Sequence, residues 1–403
     1  MGFRILFSLL LVTNFHFSNA MFLQDSTEIR KIMQIAEETK QQFAPDKRTI
    51  LFELNIDSVS SEKSPWLETS SQEAAKAFSE RLKTTGIAAE VEVRILPDSN
   101  SGIPKKAVVN LSVANMRVRP GNQAEMASQA LLGTPLDVLK QEGGYYIVRT
   151  PDHYIAYMDE DGLTLMGKTA FQTWKKAEKI VFTADYGHVY LQVDKSAGRV
   201  SDLVLGDVLR KDGEVAGFYQ VRFPDGRKGY VKKEEAIPYE QWLAGVLPEA
   251  DRIIKTAKDM MGLPYLWGGT SVKGVDCSGL TKIAYFMNGL IIPRDASQQV
   301  REGEPVDIFD SAGKLDTLKA VKNLKPGDLL FFASGQNRPL DAHVTHVALY
   351  MGDGEFIHSA GNVRINSFLP NATNYGVLKT RTLIAARRYL EVKLTPGIAA
   401  VCD

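Results

Sequence analysis

Apolar positions recur at helical spacing over residues 27–44, where Ile29, Ile32, Ile35 and Ala36 share one side between Ser26 as start and Pro45 as stop. Ile50, Phe52, Leu54 and Ile56 then alternate with polar residues, the pattern of a half-buried strand. Ser70-Ser71-Gln72-Glu73 reads as a capping box that opens a second helix ending near Thr85. Val91, Val93 and Ile95 predict a further strand with those three side chains inward. Residues 21–105 are therefore expected to form a small α+β segment, with no reactive constellation in it.

The middle of the chain repeats itself. Ser128 to Gly133 is matched by Ser201 to Gly206, and Gly144 to Val148 by Gly217 to Val221, each 73 residues on. Both copies end in a short aromatic strand, Tyr154 to Tyr157 and Gly229 to Val231. Short strands, glycine turns and this period predict two small β-barrels, at 108–170 and 176–238, and the pattern resembles bacterial SH3-like modules. That resemblance implies binding of wall components or the shaping of a neighbouring active site; the second copy is read as a structural spacer.

Past Pro238 the texture changes. Residues 247–262 form a helix pattern through Ala250, Ile253, Ile254 and Ala257, and the stretch 245–393 has the size of one domain. Within it lie Pro264-Tyr265-Leu266-Trp267-Gly268-Gly269-Thr270 and Val275-Asp276-Cys277-Ser278-Gly279-Leu280. Leu280, Ile283, Ala284 and Met287 follow on one helical face, so Cys277 is expected in the first turn. Unpaired backbone N–H groups and the helix dipole favour a thiolate there. A paired histidine lowers the thiol pKa further and carries the proton.

The chain has 403 residues, and lysine plus arginine equals aspartate plus glutamate at 48 each, so no basic field exists to hold nucleic acid or an anionic membrane. Arg4, the apolar run Ile5 to Val12 and Ser18-Asn19-Ala20 read as an export signal over 1–20. That run is too short to span a bilayer. The mature protein is expected to begin near Met21, without stable membrane insertion, as a secreted, periplasmic or cell-wall-associated monomer. Of two cysteines, Cys402 lies next to the end, where chains are usually loose, and Cys277 is read as a free thiol.

Three of six histidines, His343, His346 and His358, fall close together. Thr345 to Gly352 alternates as a strand in which His346 shares a face with Ala348 and Tyr350. Asp353-Gly354 signals a hairpin, and Glu355 to Ala360 returns, so His358 comes alongside His346 as a third group that orients the base. One cysteine with scattered histidines makes a poor zinc set, and neither metal nor cofactor is called for.

Taken in order, the Tyr-x-Trp-Gly-Gly loop, Asp276 to Gly279, Arg294-Asp295, Pro326-Gly327-Asp328-Leu329, Thr345-His346-Val347 to Tyr350-x-Gly352 and Ile357-His358-Ser359 resemble the NlpC-type cell-wall cysteine peptidases, a papain-like family. The resemblance covers the whole tail and implies an α+β multidomain protein: an NlpC-type catalytic domain preceded by two SH3-like barrels and the small N-terminal segment. It implies Cys277 as nucleophile, His346 as general base and His358 as orienting residue, with Tyr265 assisting at the oxyanion. Trp267, Asp276 and Ser278 are candidates around the substrate, with Trp267 at least partly packing and Asp276 equally a helix cap. The branch with paired SH3-like modules cuts peptidoglycan stem peptides between γ-D-glutamate and the diamino acid when the N-terminal L-alanine is free. Asp295 matches the position that holds that amine; Glu125, with Tyr157 nearby, matches a second carboxylate. Ala296 stands where some relatives have serine, although Ser297 follows. Two rivals remain at this level: an endopeptidase or amidase on intact wall, and a non-catalytic wall-binding protein. The long segment between Gln298 and Leu324 is either a lid or an idle surface loop.

Overall fold

The computed structural model describes residues 15–56, 65–87, 90–98, 101–194 and 196–401, with side chains from residue 27. The chain divides into two compact units, with the boundary between Ser101 and Gly102.

The first unit packs helices Phe15–Phe43 and Gln72–Thr84 with a three-stranded sheet. Ile32, Ile35, Phe52, Leu67, Ala74 and Phe78 form its core. Trp66–Thr69 is the central strand, antiparallel to Phe52–Asn55 and parallel to Glu92–Ile95. This strand gave no alternation to read, because Leu67, Glu68 and Thr69 are all buried. Three expectations need correction. The first helix runs through Ser26 without a break. The second helix is capped one residue later than read: Ser71 Oγ accepts from Ala74 N at 3.1 Å, while Ser70 Oγ accepts from Leu51 N at 3.0 Å. Ile95, read as inward, is exposed at the end of its strand. The apolar run Ile5 to Val12 and Cys402 lie outside the described residues.

In the second unit the 73-residue period holds strand by strand. Lys106–Val109 and Lys179–Phe182, Val113–Arg117 and Tyr186–Tyr190, Met126–Leu131 and Arg199–Val204, Pro135–Glu142 and Val208–Val215, Tyr145–Arg149 and Phe218–Arg222, and Ile155–Asp159 and Lys228–Lys232 are equivalent pairs. Both seven-stranded sheets are hydrogen-bonded in the same order. Each barrel has its own core, one around Val138, Val148 and Met158, the other around Leu209, Val221 and Val231. Gly133 and Gly206 occupy the same turn with φ of +83° and +91°, where a side chain is strained. A Cβ on Gly133 would also meet Val208 O at 2.4 Å, so this turn is where the barrels touch. There the buried Asp207 accepts Leu132 N (3.2 Å) from one barrel and Val204 N (2.9 Å) from the other.

The C-terminal part is a six-stranded antiparallel sheet in the order Glu304–Pro305, Arg381–Arg388, Leu329–Ser334, His346–Gly352, Glu355–Ala360, Asn362–Ser367. Phe331, Val347, Leu349 and Ile357 point to one face, against helices Ala250–Asp259 and Cys277–Phe286. Leu330, Phe332, Ala348, Tyr350 and Phe356 point to the other, where Ile308, Ala320 and Leu324 cover them. The segment between Gln298 and Leu324 is thus neither lid nor idle loop. It supplies an edge strand, a helix at Thr317–Asn323 and part of a core.

Candidate active site

Asp276 fixes where Cys277 sits. It is the N-cap of the Cys277–Phe286 helix, accepting Gly279 N on Oδ1 at 2.7 Å. The same carboxylate takes Gly268 N (3.0 Å), Ser278 Oγ (3.2 Å) and a bidentate pair of bonds from Arg294 Nη1 (3.1 Å) and Nη2 (2.6 Å). Arg294 is buried, and its Nε donates to Ser128 Oγ of the first barrel at 2.9 Å. Asp276 and Ser278 therefore turn their side chains into a cap network. A Cβ on Gly279 would come within 2.0 Å of Gly269 O, so the Tyr265 to Thr270 loop lies directly on the first helical turn. Gln129 of the first barrel holds that loop from the other side, its Oε1 accepting Thr270 N at 3.0 Å.

The sheet opens at the same place. The His346–Gly352 and Glu355–Ala360 strands pair from Leu349↔Ile357 outward. In the opening, Ser359 Oγ donates to Val275 O at 2.8 Å, and the backbone N–H of Val347 points at the Cys277 sulfur. Cys277 is a buried, free thiol. Burial pushes it up to about 12, with the Asp276 charge adding to the rise, while the Val347 and Ser278 N–H groups and Arg294 oppose it. His346 is held well below 6.5 by burial, then by His358 and two arginines, Arg381 and Arg364. Burial thus opposes the thiolate that the helix terminus favours, and it also disfavours the protonated form of His346.

Two side chains, His358 and Asn366, and the main-chain carbonyl of Asn374 determine the protonation of His346. Its Nε2 is 2.7 Å from His358 Nδ1, and His358 Nε2 is 2.9 Å from Asn366 Oδ1. Asn366 Nδ2 donates to Asn374 O at 2.5 Å, which fixes the amide with its oxygen toward His358. His358 must then carry its proton on Nε2 and accept on Nδ1. His346 donates from Nε2, which leaves its Nδ1 unprotonated. Burial also holds His358 down at about 4, against the hydrogen bond to Asn366. The sequence reading missed Asn366. Its signal was the turn at Gly361, which pairs Arg364 with His358 and leaves Asn366 one pair further along the same face.

The remaining candidates divide. Burial pushes the Tyr265 hydroxyl up to about 12, with Cys277 and Asp276 adding to the rise, so it stays a hydrogen-bond donor beside the thiol. Trp267, read as partly packing, is 61% exposed, and its Nε1 donates to Glu125 Oε1 at 2.9 Å. Asp295 caps the Ala296–Gln299 turn in a capping box with Gln298. Its Oδ2 accepts from Tyr154 Oη at 3.3 Å. The hydroxyl of Tyr157, expected near Glu125, donates to Glu142 at 3.0 Å. Tyr154 immediately precedes the Ile155–Asp159 strand that carries Tyr157. Among the described residues, no group of three His, Cys, Asp or Glu is placed to hold a metal ion.

Residues 262–383 match the NlpC/P60 family, and residues 116–163 match the bacterial dipeptidyl-peptidase Sh3 domain. The chain is 31% identical over 278 residues to a gamma-D-glutamyl-L-lysine dipeptidyl-peptidase of Bacillus cereus, covering 67% of this chain and 77% of that one. It is 28% identical over 277 residues to dipeptidyl-peptidase 6 of Lysinibacillus sphaericus, covering 65% and 91%. The crystal structure of an NlpC/P60 family protein from Bacillus cereus superposes with a TM-score of 0.57 at 26% identity, over 71% of this chain and 99% of that one. Matched in its first barrel and in its thiol-bearing domain, and 31% identical to a dipeptidyl-peptidase over most of that protein's length, the chain belongs to the NlpC/P60 family and is a cysteine peptidase.

Proposed function

We propose that this peptidase hydrolyses the γ-D-glutamyl–diamino acid bond of peptidoglycan stem peptides whose N-terminal L-alanine is free, releasing L-Ala-γ-D-Glu. The observation that carries the reading is the fixed tautomer: Asn366 and His358 leave Nδ1 of His346 as the acceptor at the opening where the Cys277 sulfur lies.

Cys277 is the nucleophile and His346 the general base. The thiol proton passes to Nδ1 as sulfur bonds to the amide carbonyl carbon. The tetrahedral oxyanion is held by the Tyr265 hydroxyl and by backbone N–H groups of the first helical turn. Loss of one such donor typically costs about 10²–10³ in rate. The imidazolium then protonates the departing amine as the C–N bond breaks, leaving a thioester. Water, deprotonated by His346, attacks the thioester, and the thiol leaves with its proton restored. His358 shares the positive charge through its hydrogen bond with His346 and keeps the ring oriented.

Asp295 is the carboxylate for the free amine, with Tyr154 at its side, and Glu125 closes the pocket from the first barrel with Trp267. The modules extend over 108–170 and 176–238, and the catalytic domain over 245–393. Residues 1–20 direct export, and the protein works in the periplasm or at the cell wall. No described helix is long and apolar enough to cross a membrane.

The test is product identification by mass spectrometry after incubation with L-Ala-γ-D-Glu-diamino acid tripeptides. L-Ala-γ-D-Glu plus the free diamino acid, absent with Cys277→Ala, is expected. Cleavage elsewhere in the peptide, or undiminished cleavage by the variant, contradicts the reading.

A further inference from the structure

The strand order sets one arginine on each side of the histidine pair. Arg381 begins the strand that pairs with Leu329–Ser334, which in turn pairs with the His346 strand. Arg364 lies on the strand beyond that of His358 and is its direct cross-strand partner. Directly paired residues share a face. Arg381 pairs with Ser334, two residues from Phe332, and Phe332 pairs with His346. Both guanidiniums therefore rise on the histidine face, with strands about 4.8 Å apart. Each also acts electrostatically on both His346 and His358, and Arg381 acts on Tyr265 as well, which stands at Cys277.

Two other arginines of this domain, Arg294 and Arg388, have carboxylate partners, Asp276 at 2.6 Å and Asp328 at 2.7 Å. Arg364 and Arg381 pair with no carboxylate among the described residues, and both are at least partly open to solvent. Two unneutralised cations beside a buried pair of bases make those bases harder to protonate, a cost with no structural return inside the protein. An anionic ligand would reverse it.

The site is also polarised. The first barrel and the turn after Arg294 supply the carboxylates Glu125 and Asp295, and the sheet supplies the guanidiniums. Cys277 lies between, where the helix meets the sheet. A peptide whose amino end is held by the carboxylates places the residue after the scissile bond on the arginine side.

We propose that Arg364 and Arg381 form the subsite for the leaving diamino acid and select one whose side chain ends in a carboxylate, diaminopimelate, over one that ends in an ammonium alone, lysine. This rests on the reading above. It separates the chain from its Bacillus cereus relative, whose name specifies lysine. A planar guanidinium meets a carboxylate through two parallel hydrogen bonds and repels the ε-ammonium of lysine.

The experiment measures kcat/KM for L-Ala-γ-D-Glu-meso-diaminopimelate, for the same peptide with its side-chain carboxylate amidated, and for L-Ala-γ-D-Glu-L-Lys. Wild type, Arg364→Gln, Arg381→Gln and the double variant are compared. Wild type is expected to favour the free diaminopimelate peptide by about tenfold or more, the size of one charge-assisted contact. Amidation should remove most of that advantage, mainly through KM, and the double variant should bring the three peptides together. The amidated substrate keeps the test decisive if a variant fails to fold. A wild-type preference for lysine, or insensitivity to amidation, overturns the proposal while leaving the proposed reaction intact. Wild type that cleaves none of the three overturns both.

Discussion

His346 and His358 meet edge to face, ring centroids 5.0 Å apart, with a 2.7 Å hydrogen bond from Nε2 to Nδ1. The hairpin that carries them places the two rings, but the proton order between them comes from outside the hairpin. It depends on Asn366, whose amide is locked by the Asn374 carbonyl.

Asn366 is therefore expected to matter for catalysis without touching substrate. Asn366→Leu should lower kcat by about 10–10², by analogy with other groups that orient a catalytic ligand or base, and leave KM nearly unchanged. Asn366→Asp should retain more activity and move the acid limb of kcat/KM to higher pH, because a carboxylate stabilises the protonated relay. Equal loss in both variants with no shift of the limb would mark Asn366 as merely structural.

The pH dependence follows from burial. An unfolded histidine titrates near 6.5, but His358 is held at about 4 and His346 well below 6.5. Between those values the unfolded chain binds more protons, so this contribution to stability is intact above 6.5 and is lost as pH falls toward 4. Cys277 runs the other way. Its ordinary value of 9.0 rises to about 12, so the unfolded thiol ionises first and stability falls as pH climbs from about 9 to about 12. Thermal unfolding across pH should show both slopes, and Cys277→Ala should flatten the alkaline one. Thiolate absorbance in the free enzyme near pH 7 would show that the helix terminus prevails over burial at Cys277.

Arg294 is the buried tie between the first barrel and the cap of the Cys277 helix. Arg294→Met leaves Asp276 buried without its main partner and should cost about 3–5 kcal/mol in urea unfolding. Adding Asp276→Leu should recover part of that stability without restoring activity. No recovery would mean that the charge is not what the substitution exposes.

Glu125 and Trp267 are joined on the surface, where such a contact adds at most about 1 kcal/mol. Glu125→Gln should leave thermal stability nearly unchanged and raise KM for a free-amine tripeptide about tenfold or more. An unchanged KM would remove Glu125 from the pocket.

Much of this was legible because the spacing is local. Asp276 and Cys277 open a helix, and His346 and His358 flank one hairpin, so neighbouring residues suffice to place them. The 73-residue period survived because paired strands cannot shift register without turning every side chain to the other face. What escaped depended on distant partners. Asp276 read equally as cap or contact until Arg294 came to it from another turn. Trp267 read as packing because tryptophan usually is, but its loop rests on the first barrel through Gly268, whose Cβ would lie 2.7 Å from Met126 O. The ring is left outward, toward Glu125. Asn366 escaped because its role depends on the register of a third strand.

The proposed function requires Cys277 to work in a site closed at one end for a free amine. The measurement that tests it most directly compares hydrolysis of L-Ala-γ-D-Glu-L-Lys and L-Ala-γ-D-Glu-meso-diaminopimelate with their N-acetylated forms, each alongside Cys277→Ala. Cleavage of the free-amine peptides only is expected, abolished by the substitution. Equal cleavage of the free and acetylated forms would contradict the closed pocket and leave an open endopeptidase cleft in its place.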